Sequence, residues 1–178
     1  MTIIKPYGGV KLDVDTVRAM LNYDVNTGIF VWLVKRPKVN IGTVAGRQDK
    51  DGYNEISLFG KRYKAHRLAW FIMTGKWPTN QIDHINGDKT DNSWSNLREA
   101  TKQQNMMNVP CRRHNKLGYK NIHSKVVGDY EYWGLSITHQ NGKRFEKSYN
   151  KKLYSLEDVI KIRDDMYSEY HGEYANNG

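Results

Sequence analysis

Asp83 and His84 are adjacent in the chain, and Asn96 and Asn105 follow Asp83 after 13 and 22 residues. They offer a carboxylate, an imidazole and two amides within a stretch short enough for one hairpin and one helix. That set suits phosphodiester hydrolysis. A neutral imidazole accepts a proton from water near pH 7, a contribution of roughly 10²- to 10⁴-fold in rate. One carboxylate, one amide carbonyl and substrate phosphate oxygens leave room for water in the octahedral shell of a hard divalent cation. Neighbours on a strand point to opposite faces, so Asp83 and His84 can share one centre only where the backbone leaves regular strand geometry.

The elements that position these residues are legible from pattern. Residues 82–85 read as a short strand, Asn86-Gly87-Asp88 and Asp91-Asn92 as turns, and residues 96–99 as a second extended piece. Thr101 with Gln104 three residues on forms a capping box, which puts Asn105 one turn inside a helix. Before this unit, Leu68, Phe71 and Ile72 mark an apolar helical face ended by Gly75 and Pro78. His66 begins that helix and is a candidate support of the centre, or simply a structural residue; Arg98 is a second candidate support.

Upstream, residues 13–22 predict a short helix with Val14, Val17 and Leu21 on one face, and residues 29–34 a strand after the turn Asn26-Thr27-Gly28. Residues 53–59 and 62–65 predict a hairpin turning at Gly60-Lys61. Downstream, residues 119–127, 131–138 and 144–149 predict three strands, the last two joined across Asn141-Gly142. Ser155 with Asp158 then caps a helix whose Leu156, Val159, Ile160, Met166, Tyr167 and Tyr170 supply an apolar face. Trp133 and Tyr119 read as core rather than as base-stacking groups.

The 178 residues carry a net charge of +9 and a mean hydropathy of -0.79. Residues 1–80 hold 13 basic and 6 acidic side chains, residues 81–110 hold 3 and 4, and residues 111–152 hold 10 and 3. Two basic flanks around a slightly acidic centre suit a polyanion held on both sides of a cation site. The candidate contacts to such a polyanion are Lys35, Arg36 and Lys38 in a basic loop, Arg112, Arg113 and Lys116 in a basic linker, and Lys120, Lys143, Arg144 and Lys147 beyond it. Cys111 is the single cysteine, which excludes an internal disulfide and zinc sites built on two thiolates; Cys111-x-x-His114 is therefore not read as a zinc site. No apolar run is long enough to span a bilayer and residues 1–13 lack a signal-peptide core, so a cytoplasmic protein is expected.

The stretch HRLAWFIMTGKWPTNQIDHINGDKTDNSWSNLREATKQQNMMN, residues 66–108, resembles the HNH endonucleases encoded by bacteriophages, many of them homing enzymes. The resemblance implies a ββα-metal finger in which Asp83 ligates the metal, His84 is the general base, Asn96 braces the loop and Asn105 is the second protein ligand. It also implies one Mg2+ or Mn2+ per active site and a double-stranded DNA substrate, nicked or cut. Asn105 departs from the signature that ends in His, and an amide oxygen binds soft metals less well than imidazole does. Gly118-Tyr119-Lys120, Trp133-x-Leu135-x-Ile137, Asn141-Gly142-Lys143-Arg144 and the closing helix resemble the AP2-type DNA-binding domain, which implies a three-stranded sheet laid in the major groove.

The expected protein is thus α+β. Residues 1–65 form an N-terminal α/β extension open to DNA contact, 66–109 the nuclease finger, 110–117 a basic linker, and 118–178 an AP2-like sheet and helix. The expected partner is double-stranded DNA, bound by a monomer in the phage-infected host, with no membrane and no protein partner. Two rivals stand beside this reading: a DNA-binding regulator with an inactive nuclease centre, and a nuclease of structured RNA.

Overall fold

The computed structural model describes residues 12–109, 111, 115–139 and 141–175. The chain is α+β and divides into two separately packed units, Met1–Ala100 and Thr101–Gly178. The division falls inside the 66–109 segment, between its second strand and its helix.

In the first unit, Asp13 caps α1 (Val14–Met20) by accepting a bond from the Thr16 amide at 2.7 Å. The predicted helix ends two residues early because Leu21–Tyr23 forms β1, which pairs antiparallel with β2 (Phe30–Trp32). A small sheet follows in the order β3 (Arg47–Gln48), β4 (Asn54–Leu58), β5 (Lys61–Lys64). Leu58 pairs with Lys61, so the turn is Phe59-Gly60 and not Gly60-Lys61. Both turn residues have positive φ, 49° and 76°, as a two-residue hairpin matching the strand twist requires. The two-residue β3 carries no sequence signal of its own.

Helix α2 (Ala65–Thr74) stops at Gly75, whose φ of 72° lets its amide return to the Phe71 carbonyl. Its buried face, Ala65, Leu68, Ala69, Phe71 and Ile72, joins Val17, Leu21, Phe30, Trp32, Ile56 and Leu58 in one core. Ile82 and Leu97 extend that core into the antiparallel pair β6 (Gln81–His84) and β7 (Leu97–Ala100), the second of which a single 3-10 turn, Trp94–Asn96, precedes. The hairpin that carries Asp83 and His84 is thereby fixed to the helix in front of it.

In the second unit, α3 (Lys102–Met107) begins with both halves of the Thr101–Gln104 capping box formed. Strands β8 (Ile122–Val127), β9 (Tyr130–Thr138) and β10 (Arg144–Asn150) make one antiparallel sheet in the order β10-β9-β8. β8 starts three residues later than the pattern predicts, because Gly118 and Asn121 both take positive φ and keep the chain in turns. α4 (Leu156–His171), capped reciprocally by Ser155 and Asp158, buries Val159 and Tyr167 against Ile122, Leu135, Ile137 and Tyr149. Among the described residues no helix is long and apolar enough to cross a membrane.

Candidate active site

Asp83 and Arg98 stand directly opposite each other on β6 and β7, so their side chains leave the same face. Arg98 donates from Nε at 2.9 Å and from an Nη at 2.8 Å to Asp83 Oδ2, both groups being nearly buried. Arg98 therefore neutralises the carboxylate that the sequence marks as a ligand. His84 is the last residue of β6. Its ring lies 5.0 Å from that of His66, almost perpendicular to it, and 6.1 Å from that of Tyr53. Strand pairing ends at His84, whose carbonyl already accepts the Gly87 amide at 2.9 Å, so the backbone leaves strand geometry at the imidazole while the Asp83 carboxylate is turned to Arg98.

His84 is 5% exposed, and burial pulls its pKa below the ordinary histidine value against the opposing influence of Asn92, Asp83, Asp88 and Asp91. A neutral base at neutral pH is the result. His84 Nε2 sits 3.1 Å from Asn92 Oδ1. Asn92, 1% exposed, also donates through Nδ2 to the Thr90 carbonyl at 3.0 Å, and its own carbonyl accepts the Tyr23 hydroxyl at 2.8 Å. Asn96 ties the loop at two points: Oδ1 accepts the Asn86 amide at 2.9 Å and Nδ2 donates to the Asp91 carbonyl at 2.8 Å. The Ile85 amide adds a bond to the Asn96 carbonyl at 2.9 Å.

His66 begins α2 with its Nδ1 buried and without a hydrogen-bond partner. Burial, then His84, Arg67 and Lys64, push its pKa down to about 3. The folded protein therefore keeps His66 neutral, whereas the unfolded chain protonates it below about 6.5. Its effect on stability is absent above that pH and grows as pH falls toward 3, with a slope of up to about 1.4 kcal/mol per pH unit. Urea unfolding at pH 7 and pH 4.5 should show a larger loss on acidification in the wild type than in His66→Leu. Equal losses would mean that His66 is already charged at the lower pH.

Asn105 lies on α3, in the second unit. That helix is held there by Gln103, which donates to the His139 carbonyl at 2.9 Å, and by Lys120, whose ammonium donates to the Met107 and Val109 carbonyls at 2.5 and 2.6 Å. Burial brings the Lys120 pKa down to about 8. Lys120, expected at a phosphate, instead caps a helix C-terminus. Lys35, Lys38, Lys116, Lys143 and Lys147 are exposed. Arg36 stacks 4.1 Å over Trp32 and bonds the Ser57 carbonyl, and Arg144 pairs with Glu146 at 2.7 Å. Arg112 and Arg113 lie outside the described residues.

Sequence reasoning missed Asn92, Tyr53 and Tyr23. Asp91-Asn92 reads as turn chemistry, and the turn is real: Asp91 Oδ1 accepts the Ser93 amide at 3.1 Å. Nothing in its spacing shows that the Asn92 side chain turns inward to His84. Gly28, read only as part of a turn, stands where an added Cβ would meet the Asn92–Ser93 backbone at 2.2 and 2.3 Å.

The strand-loop-strand that displays Asp83 and His84, with the helix leading into it, is the part of the chain that resembles a known family. Residues 63–107 match the HNH endonuclease family. Over a longer span, the chain is 31% identical across 132 residues to an uncharacterized HNH endonuclease of Acanthamoeba polyphaga mimivirus, covering 71% of this chain and 62% of that protein. It is 33% identical over 96 residues to the DNA endonuclease I-HmuI of Bacillus phage SP01, covering 51% and 53%. It is 26% identical over 118 residues to protein 3.8 of Escherichia phage T7, covering 66% and 92%. The chain thus spans only about three-fifths and half of the first two relatives. No solved structure matches it.

Proposed function

We propose that this protein is a divalent-metal-dependent HNH endonuclease that hydrolyses phosphodiester bonds of double-stranded DNA, a phage homing-type enzyme acting as a monomer in the infected cell's cytoplasm. The observation that carries this reading is a neutral, buried His84 at the end of the HNH segment's first strand, next in sequence to Asp83. His84 takes the proton of the attacking water, and Asn96 keeps the intervening loop closed behind it. The relatives from phages and a giant virus, one of them named a DNA endonuclease, support DNA as the substrate.

The donors suit a hard cation. Asp83 offers carboxylate oxygen and Asn105 an amide oxygen, and among the described residues no cluster of three or more His, Cys, Asp or Glu suits a metal. Such a pair leaves most of a shell to water and DNA phosphate, as Mg2+ or Mn2+ prefers. One bound ion would stabilise the charge that develops on phosphorus oxygens and on the leaving 3′ oxygen. Arg98 shares the Asp83 carboxylate and limits how strongly that group attracts a cation without DNA. Asn105→Ala should raise the Mg2+ concentration needed for half-maximal cleavage by at least about tenfold, the smaller loss that follows removal of outer-shell partners. A titration of nicking against Mg2+ that superimposes on the wild type would remove Asn105 from the ligand set.

The C-terminal sheet and helix supply grip as an AP2-like module, joined by Lys35, Arg36 and Lys38 from the N-terminal extension and by Arg112, Arg113 and Lys116. Exposed lysines are its simplest probes. Changing Lys35, Lys38, Lys116, Lys143 and Lys147 together to Gln should weaken binding and flatten the salt dependence, by about 0.9 in the log–log slope for each phosphate that is no longer neutralised. Point substitution in the full chain is the proper test, because truncation after residue 110 would remove Lys120 and His139, which hold α3. An unchanged slope in fluorescence-anisotropy titrations would place the DNA elsewhere. The enzymatic reading itself is tested by metal-dependent nicking of duplex DNA beside structured RNA.

A further inference from the structure

We propose that Asn92 is a positioning residue for His84, holding its imidazole in the Nε2–H tautomer so that Nδ1 takes the proton, and that the β1–β2 hairpin serves the site by fixing Asn92. The inference rests on the reading of His84 as the base. The backbone carbonyl of Thr90 can only accept. Asn92 Nδ2 lies 3.0 Å from it and must be the atom that donates there, which decides which end of the Asn92 amide is oxygen. The oxygen therefore faces His84 Nε2 at 3.1 Å. An oxygen in that place accepts, so a neutral His84 must carry its hydrogen on Nε2 and its lone pair on Nδ1. The reversed amide would set two carbonyl oxygens against each other in a nearly water-free place.

Asn92 is itself held from the N-terminal extension. The Tyr23 hydroxyl donates to the Asn92 carbonyl at 2.8 Å, and the Trp94 amide bonds the Val25 carbonyl at 2.9 Å. Gly28 brings the β1–β2 turn so near that a Cβ there would stand 2.2 Å from the Asn92 carbonyl carbon. The extension is thus given a task beyond any contact with DNA: it sets the backbone from which Asn92 reaches His84.

The test is nitrogen-15 NMR of the histidine rings in the full-length protein above pH 7, where protonated and bare ring nitrogens have distinct shifts, alongside single-turnover cleavage and DNA affinity. Wild-type His84 should be the Nε2–H tautomer. In Asn92→Ala it should become a mixture, with the cleavage rate down by roughly tenfold or more and affinity for DNA unchanged. Tyr23→Phe, which keeps the ring packed on Phe30, should lower the rate a few-fold in the same manner. An Nδ1–H tautomer in the wild type overturns the proposal even if Asn92→Ala fails to fold. So does an Asn92→Ala protein that keeps both the tautomer and the rate. A wild type that shows the Nε2–H tautomer but cleaves no nucleic acid would uphold the positioning geometry and overturn the nuclease reading instead.

Discussion

In the His84→Ala protein, single-turnover cleavage is expected to fall by roughly 10²-fold or more while DNA affinity stays within about twofold. His84 is 5% exposed, so it offers little surface to a phosphate and its loss removes little grip. On the proposed reading its surroundings suit it to proton transfer. Burial keeps it neutral, His66 packs edge-on at 5.0 Å, and Asn92 meets one of its nitrogens. His84→Asn, closer in volume, guards against the vacated space being the cause, and it should be equally slow. Cleavage at the wild-type rate in either folded variant would remove His84 from the chemistry.

Gly28→Ala should be the most damaging Gly→Ala change among the described residues of the first unit. Its Cβ would lie 2.2 and 2.3 Å from backbone atoms of Asn92 and Ser93, and its φ of 70° is unfavourable for any side chain. Left-handed strain of about 1–2 kcal/mol and overpacking of about 1–3 kcal/mol give a loss of roughly 2–5 kcal/mol. Gly60→Ala separates the two causes. Gly60 has nearly the same φ, 76°, but an added Cβ there meets nothing within 4 Å, so only the strain of about 1–2 kcal/mol remains. Urea unfolding of the two variants should differ clearly. Equal losses would mean that the turn does not press on the Asn92 loop.

The difference between those two glycines marks how far sequence reaches. Local rules placed most elements, since caps and turns are written in short-range chemistry: both capping boxes form at Thr101–Gln104 and Ser155–Asp158, and Gly75 ends its helix. The hairpin turn at Phe59-Gly60 lies one residue from its expected place because two positive φ angles, not the glycine alone, define it. Contacts between distant segments were not legible. The Tyr23 bond to Asn92 spans 69 residues and the Lys120 cap of α3 spans 13. Tyr23 carries no sequence signal of its own and Lys120 reads as a phosphate contact; only the assembled fold gives either its partner. Asp83 and Arg98 were both candidates by residue type, yet their pairing follows from strand register, which a short hairpin with a long loop does not announce.

Metal-dependent cleavage of closed circular duplex DNA tests the central claim most directly. Purified full-length protein with Mg2+ should convert the supercoiled form to nicked or linear product with 5′-phosphate and 3′-hydroxyl ends, and should do nothing in EDTA. The His84→Ala protein, prepared identically, should leave the DNA intact over the same interval. Undiminished cleavage in EDTA, or no cleavage by wild-type protein that binds the DNA in Mg2+ or Mn2+, would contradict the account.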